Sequence, residues 1–89
     1  MSSTNKLVWL PCFERDYRKL PPDLKARVNK TLLQMERDLR YPALQAKKMQ
    51  GTADIWEARV TRSSRITFNL EGNVITLRTV GEHDVLKHP

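Results

Sequence analysis

Hydrophobic patterning along this chain predicts an α+β fold of order β-α-α-β-β-β, with two N-terminal helices packed on one face of a small, mainly antiparallel sheet. Three observations predict it. Leu24, Val28, Leu32, Met35 and Leu39 recur at spacings of 4, 4, 3 and 4, which is one face of a helix. After Asp54 the pattern changes to strict alternation, the period of a half-buried strand. Two apolar runs then flank Glu71-Gly72-Asn73, the composition of a β-hairpin turn.

The elements follow in order. Lys6-Leu-Val-Trp-Leu-Pro11 is a short apolar run stopped by proline and reads as a first strand. Phe13, Tyr17 and Leu20 have helical spacing with charges between them. That helix ends at Pro21-Pro22, because proline disfavours the helical conformation in the residue before it. A second helix begins near Pro22-Asp23, where proline suits the first turn and the aspartate complements the helix dipole. Tyr41-Pro42 ends it, and residues 42–54 read as a connection. In Ile55-Trp-Glu-Ala-Arg-Val60, Trp56, Ala58 and Val60 share one face while Glu57 and Arg59 share the other. Thr61 to Ser64 is a polar turn. Ile66, Phe68 and Leu70 then alternate with Arg65, Thr67 and Asn69, and Val74 to Val80 forms the last strand. The helices must bury their apolar stripes on the sheet, so its other face is left to solvent with Glu57, Arg59 and Arg65. Trp9 and Trp56 are expected in the core.

At 89 residues the chain is expected to form one domain with a flexible segment at residues 1–5. A chain of this length buries about two-thirds of its unfolded surface, enough for one modest core and no separate cofactor domain. Sixteen Lys and Arg against ten Asp and Glu give a net charge of +6, which favours an anionic partner such as nucleic acid or an acidic protein. The lone Cys12 excludes an intramolecular disulfide and a cysteine-based zinc site, and reads as a half-buried reduced thiol. Neither a signal-peptide pattern nor an apolar run of membrane-spanning length is present, so a cytoplasmic protein without cofactor, metal or membrane partner is expected.

Several stretches together resemble the RelE/ParE superfamily of toxins from type II toxin-antitoxin pairs, on the branch of RelE and YafQ. Leu7-Val-Trp-Leu followed by Phe13-Glu-Arg-Asp-Tyr-Arg-Lys-Leu20 is similar to the family's opening strand and first helix. Lys47-Lys-Met-Gln-Gly51 resembles its K-x-L-x-G lead into the sheet. Ile55-Trp-Glu-Ala-Arg-Val60 resembles its W-x-x-R-V strand, Ser64-Arg-Ile-Thr-Phe68 its Y-R-I-x-Y strand, and Val80-Gly-Glu-His83 its G-x-H ending. Two positions depart from the pattern. Ser64 stands where many members carry an aromatic residue, and Leu86-Lys87-His88 stands where many end in tyrosine or phenylalanine.

The resemblance implies a RelE-like fold and a toxin that cleaves messenger RNA in the ribosomal A site, touching 16S ribosomal RNA. In that chemistry, no metal takes part and the 2′-hydroxyl attacks the adjacent phosphate. It also implies a cognate antitoxin and a toxin-antitoxin hetero-oligomer. Such a reaction needs a base, cations for the extra negative charge and an acid for the leaving oxygen. Arg65 matches the strand arginine that would grip the phosphate, Arg59 would share its electrostatic role, and His83 would move a proton. Glu57 is either a general base or an ion-pair partner of Arg65. Asp84 would orient His83, and His88 belongs to the tail. Lys47, Lys48, Arg62 and Arg78 would contact RNA, although Lys47 and Lys48 read equally well as a solvated pair. Two other readings share the scaffold: a ParE-like inhibitor of DNA gyrase without nuclease activity, and an inactive member that only binds its antitoxin.

Overall fold

The computed structural model describes residues 4–51 and 54–82. The elements in chain order are β1 (Lys6–Trp9), α1 (Pro11–Arg18), α2 (Pro22–Arg37), a 3-10 turn (Pro42–Leu44), β2 (Lys47–Lys48), β3 (Ile55–Arg59), β4 (Ser64–Glu71) and β5 (Val74–Glu82). The expected α+β order is present with one addition. The segment read as a plain connection contributes β2, a two-residue edge strand too short for a periodic signal. The sheet has five strands in the order β1-β5-β4-β3-β2. All its pairings are antiparallel except the parallel pairing of β1 with β5.

Both helices open as their prolines dictate, with proline in the first turn of each. α1 starts at Pro11, ahead of the apolar spacing that revealed it. α2 stops at Arg37, so Leu39 packs against the core from the turn beyond the helix rather than from its face. The stripe Val28, Leu32 and Met35 is buried, together with Thr31. It meets Phe13 of α1, Leu44, and the inward side chains Ala58, Ile66, Phe68, Ile75, Leu77 and Val80. Trp56 stacks on Phe68 with ring centroids 6.3 Å apart and joins this core, as expected. Trp9 does not. It is 40% exposed, lying edge-on to Phe13 and Tyr17 at the edge of the sheet, because among the described residues β1 has a neighbour on one side only.

Two local devices set the register. Gly72 and Asn73 are the two central residues of the β4–β5 hairpin, and Gly72 has φ +61°. A positive φ at the first central position alone is the II′ pattern, which glycine adopts without strain. Farther along, Phe68 pairs with Leu77 while Thr67 pairs with Thr79, so Arg78 is the extra residue of a β-bulge. Leu77 and Val80 both reach the core because of it, although plain alternation from Leu77 would turn Val80 outward.

Just before β1, Asn5 bonds to the end of α2. Asn5, placed by its sequence in a loose terminus, donates its backbone N–H to Glu36 O at 2.7 Å and its side-chain amide to Met35 O at 2.9 Å. Among the described residues no helix is long and apolar enough to cross a membrane.

Candidate functional site

The face of the sheet turned away from the helices is organised in rungs across the strands. One rung runs Lys47, Glu57, Thr67, Thr79 and the next runs Arg59, Arg65, Gly81. A third places Ile55, Asn69, Thr76 and Val8 in line. Directly opposed residues on one face have Cβ atoms about 4.5–5.5 Å apart, so neighbours within a rung touch or nearly do.

Arg65 and Glu57 form the centre. Arg65 Nε lies 3.6 Å from Glu57 Oε1, and the two side chains are only 17% and 14% exposed. The pairing that the sequence offered as an alternative role for both residues is therefore present. The guanidinium does a second job: Nη1 donates to the carbonyls of Thr61 at 2.7 Å, Ser64 at 3.0 Å and Arg62 at 3.2 Å. It thereby closes the β3–β4 turn, whose own Thr61 Oγ1 accepts from Ser64 N at 3.0 Å. Among the described residues Nη2 has no partner, which leaves one edge of the guanidinium fork for an anion. Gly81, opposite Arg65, adds no side chain that would cover that edge.

The other predicted site residues separate into groups. Lys47 is exposed and faces Glu57 across the β2–β3 pair. Lys48 points to the opposite side of the strand and pairs with Asp54 at 3.1 Å. Arg59 sits opposite Arg65 at the end of β3. Arg62 is exposed in the turn, where its carbonyl serves Arg65. His83, Asp84 and His88 lie outside the described residues.

Arg78 owes its place to the bulge. With the extra residue, Arg78 and Thr79 both lie on the open face, and Arg78 Nη1 donates to Asn69 Oδ1 at 2.9 Å. The backbone of the bulge is held from the helix side. Cys12 donates its thiol hydrogen to Arg78 O at 2.9 Å, and Asp16 Oδ2 accepts from Val80 N at 3.4 Å. These two α1 side chains act where β1 has already ended at the level of Leu77, so they replace the missing strand. Sequence reasoning did not assign them a role. It also passed over Thr67 and Thr79, whose hydroxyls are hydrogen bonded to each other between Glu57 and the bulge. The available signal was the spacing Leu77-Arg-Thr-Val80, two polar residues between inward ones where alternation allows one.

The face thus gathers Lys47, Arg59, Arg65 and Arg78 with the carboxylate of Glu57. A hollow of about 300 Å³ opens beside that carboxylate, lined by Lys47, Lys48, Met49 and Gln50. Among the described residues no three His, Cys, Asp or Glu side chains converge as metal ligands would. The arrangement can hold a phosphate oxygen on Arg65, with a carboxylate 3.6 Å from the same guanidinium, and can attract a polyanion along the rungs.

Sequence comparison finds no matching protein family and no matching curated protein. Solved structures do match. The chain superposes on the RelBE2 toxin-antitoxin complex of Mycobacterium tuberculosis with a TM-score of 0.75 at 18% identity, covering 90% of this chain and 99% of that one. The chain has a RelE-like fold. The YoeB/ParE toxin of Agrobacterium tumefaciens gives a TM-score of 0.72 at 19% identity, over 88% and 98% of the two chains. The intact RelBE complex of E. coli gives 0.67 at 22% identity, over 88% and 95%. In this RelE-like chain the helices occupy one face of the sheet, and the charged rungs occupy the other.

Proposed function

We propose that this chain is the toxin of a toxin-antitoxin pair, a cytoplasmic endoribonuclease that cuts messenger RNA on the ribosome without a metal. The observation that carries this reading is the open sheet face, where Arg65 presents an unoccupied guanidinium edge among Lys47, Arg59 and Arg78. Its setting on a RelE-like fold supports the same reading.

In the proposed reaction the 2′-hydroxyl oxygen forms a bond to the adjacent phosphorus and the bond from phosphorus to the 5′ oxygen breaks. The products are a 2′,3′-cyclic phosphate and a free 5′-hydroxyl. Glu57 takes the 2′ proton, its orientation fixed by Arg65. Arg65 stabilises the added negative charge through Nη2, and Arg59 and Arg78 add to the field. His83 gives the proton to the leaving oxygen. Lys47 and Arg62 hold the flanking RNA backbone, and Lys48 joins Lys47 at the hollow beside Glu57 when RNA displaces Asp54 from it. An acidic antitoxin would neutralise the same cations, and the chain's charge of +6 would speed its capture.

The test is to add the purified protein to programmed ribosomes and map messenger ends by primer extension. Cuts in the A site are expected, falling at least 10²-fold with Arg65→Ala, the scale on which loss of one oxyanion donor acts, and strongly with His83→Ala. Intact messenger together with inhibited gyrase supercoiling would replace this reading by a gyrase inhibitor. Intact messenger with unimpaired gyrase would leave an antitoxin-binding protein only.

A further inference from the structure

A second basic hollow lies around the corner from the charged rungs, on the helix side of β3. Its volume is about 210 Å³, and it is lined by Arg27, Lys30, Thr31 and Gln34 of α2, by Tyr41 and Ala43, and by Arg59 and Val60. Arg27, Lys30 and Gln34 are three and four residues apart, so they form one strip along the helix. No carboxylate lines the hollow. The head groups of Arg27, Lys30 and Arg59 have no ion pair among the described residues, whereas Arg18, Arg40, Lys48 and Arg65 are each paired with an acid. Three cations converging without a counter-charge repel one another, and an anion in their midst would relieve that repulsion.

Tyr41 makes the hollow more than a patch of charge. Its side chain is 46% exposed on a fixed backbone: its N–H donates to Asp38 O at 3.1 Å and its carbonyl accepts from Leu44 N at 3.0 Å. An exposed aromatic ring beside cations is the pairing that holds a nucleobase and its phosphate together. At 210 Å³ the hollow is smaller than the roughly 300–1,000 Å³ usual for a whole small-molecule ligand. It suits one phosphate and its sugar, with the base outside against the ring. Arg59 joins the two regions, since it borders this hollow and faces Arg65 across β3 and β4.

We propose that this hollow is a subsite for one nucleotide of single-stranded RNA, next to the nucleotide whose phosphate rests on Arg65. The phosphate is held by Arg27 and Lys30, and the base stacks on Tyr41. The assignment of the ligand rests on the ribonuclease reading of the neighbouring face. Arg59, which lines the hollow and pairs with Arg65 across β3 and β4, is the bridge between the two positions.

The experiment measures binding of a fluorescent, uncleavable 2′-O-methyl hexanucleotide by anisotropy at several salt concentrations, with melting curves to show that each variant folds. The Arg27→Ala/Lys30→Ala double variant is expected to bind at least tenfold more weakly. Its slope of log affinity against log salt should fall by about 0.7, the change for one single-strand phosphate left without its cations. Tyr41→Ala should weaken binding about tenfold, and Tyr41→Phe should leave it unchanged. Unaltered affinity and slope in the double variant would overturn the subsite. An equal loss on a duplex of the same sequence would also overturn it, since a duplex offers no free base to stack. Binding that depends on Arg27 and Lys30 in a protein that cuts no messenger on ribosomes would sink the nuclease reading alone and support the subsite.

Discussion

At the scale of single residues, Arg65 combines tasks that are usually divided. Its Nε balances Glu57, its Nη1 closes a turn, and Nη2 alone has no partner among the described residues. A structural cost should therefore accompany any loss of activity when it is replaced. In urea denaturation, Arg65→Ala and Glu57→Ala are each expected to cost about 1–3 kcal/mol, the range for leaving a buried polar partner unsatisfied. The double variant should cost less than their sum, with a coupling of about 0.5–3 kcal/mol for groups in contact. Strict additivity would show that the pair does not form in solution. Asp38 offers a pH test at the end of α2. The N–H of Arg40 donates to its carboxylate at 2.9 Å, and this bond chiefly lowers its pKa below the ordinary 3.8. A lowered value means that the bond's contribution is complete above 3.8 and fades as pH falls through the folded value. The stability difference between the wild type and Asp38→Asn should thus be present at neutral pH and shrink on acidification, as paired urea titrations would show.

At the scale of elements, burial rather than residue type decides what a substitution costs. Phe68 is fully buried and stacked on Trp56, while Leu33 on α2 is 56% exposed. Phe68→Ala should cost about 3–5 kcal/mol, and Leu33→Ala less than about 0.5 kcal/mol. Chemical denaturation of both would check the contrast, and similar costs would mean that Leu33 is covered in solution. The same scale shows what the sequence made legible. The stripe of α2 and the alternation of β3 and β4 were readable because each is a local period imposed by one buried face. They placed Glu57, Arg59 and Arg65 on the open face correctly. β2 was hidden because two residues have no period, and Trp9 was misplaced because alternation gives a face but not the position of a strand at the edge. The bulge at Arg78 was hidden for a different reason. It depends on Cys12 and Asp16, which are far away in the chain and near only once α1 has packed.

At the scale of the whole molecule, the order of strands in the sheet differs from their order in the chain. Among the described residues β1 is the first strand, and its only neighbour there is β5, the last described one, with Lys6 opposite Val74. β5 in turn separates β1 from β4, so it is a central strand supplied by the end of the described chain. During synthesis β1 emerges early and waits without a hydrogen-bonding partner until residues beyond Val74 have left the ribosome. A chain ended after Asn73 keeps both helices but lacks the middle of its sheet, and it should show no cooperative thermal transition by circular dichroism. A cooperative melt in that fragment would refute this dependence. For a protein proposed to act on ribosomes, the topology works as a delay. The charged face cannot form until the residues of β5 have left the ribosome that makes them.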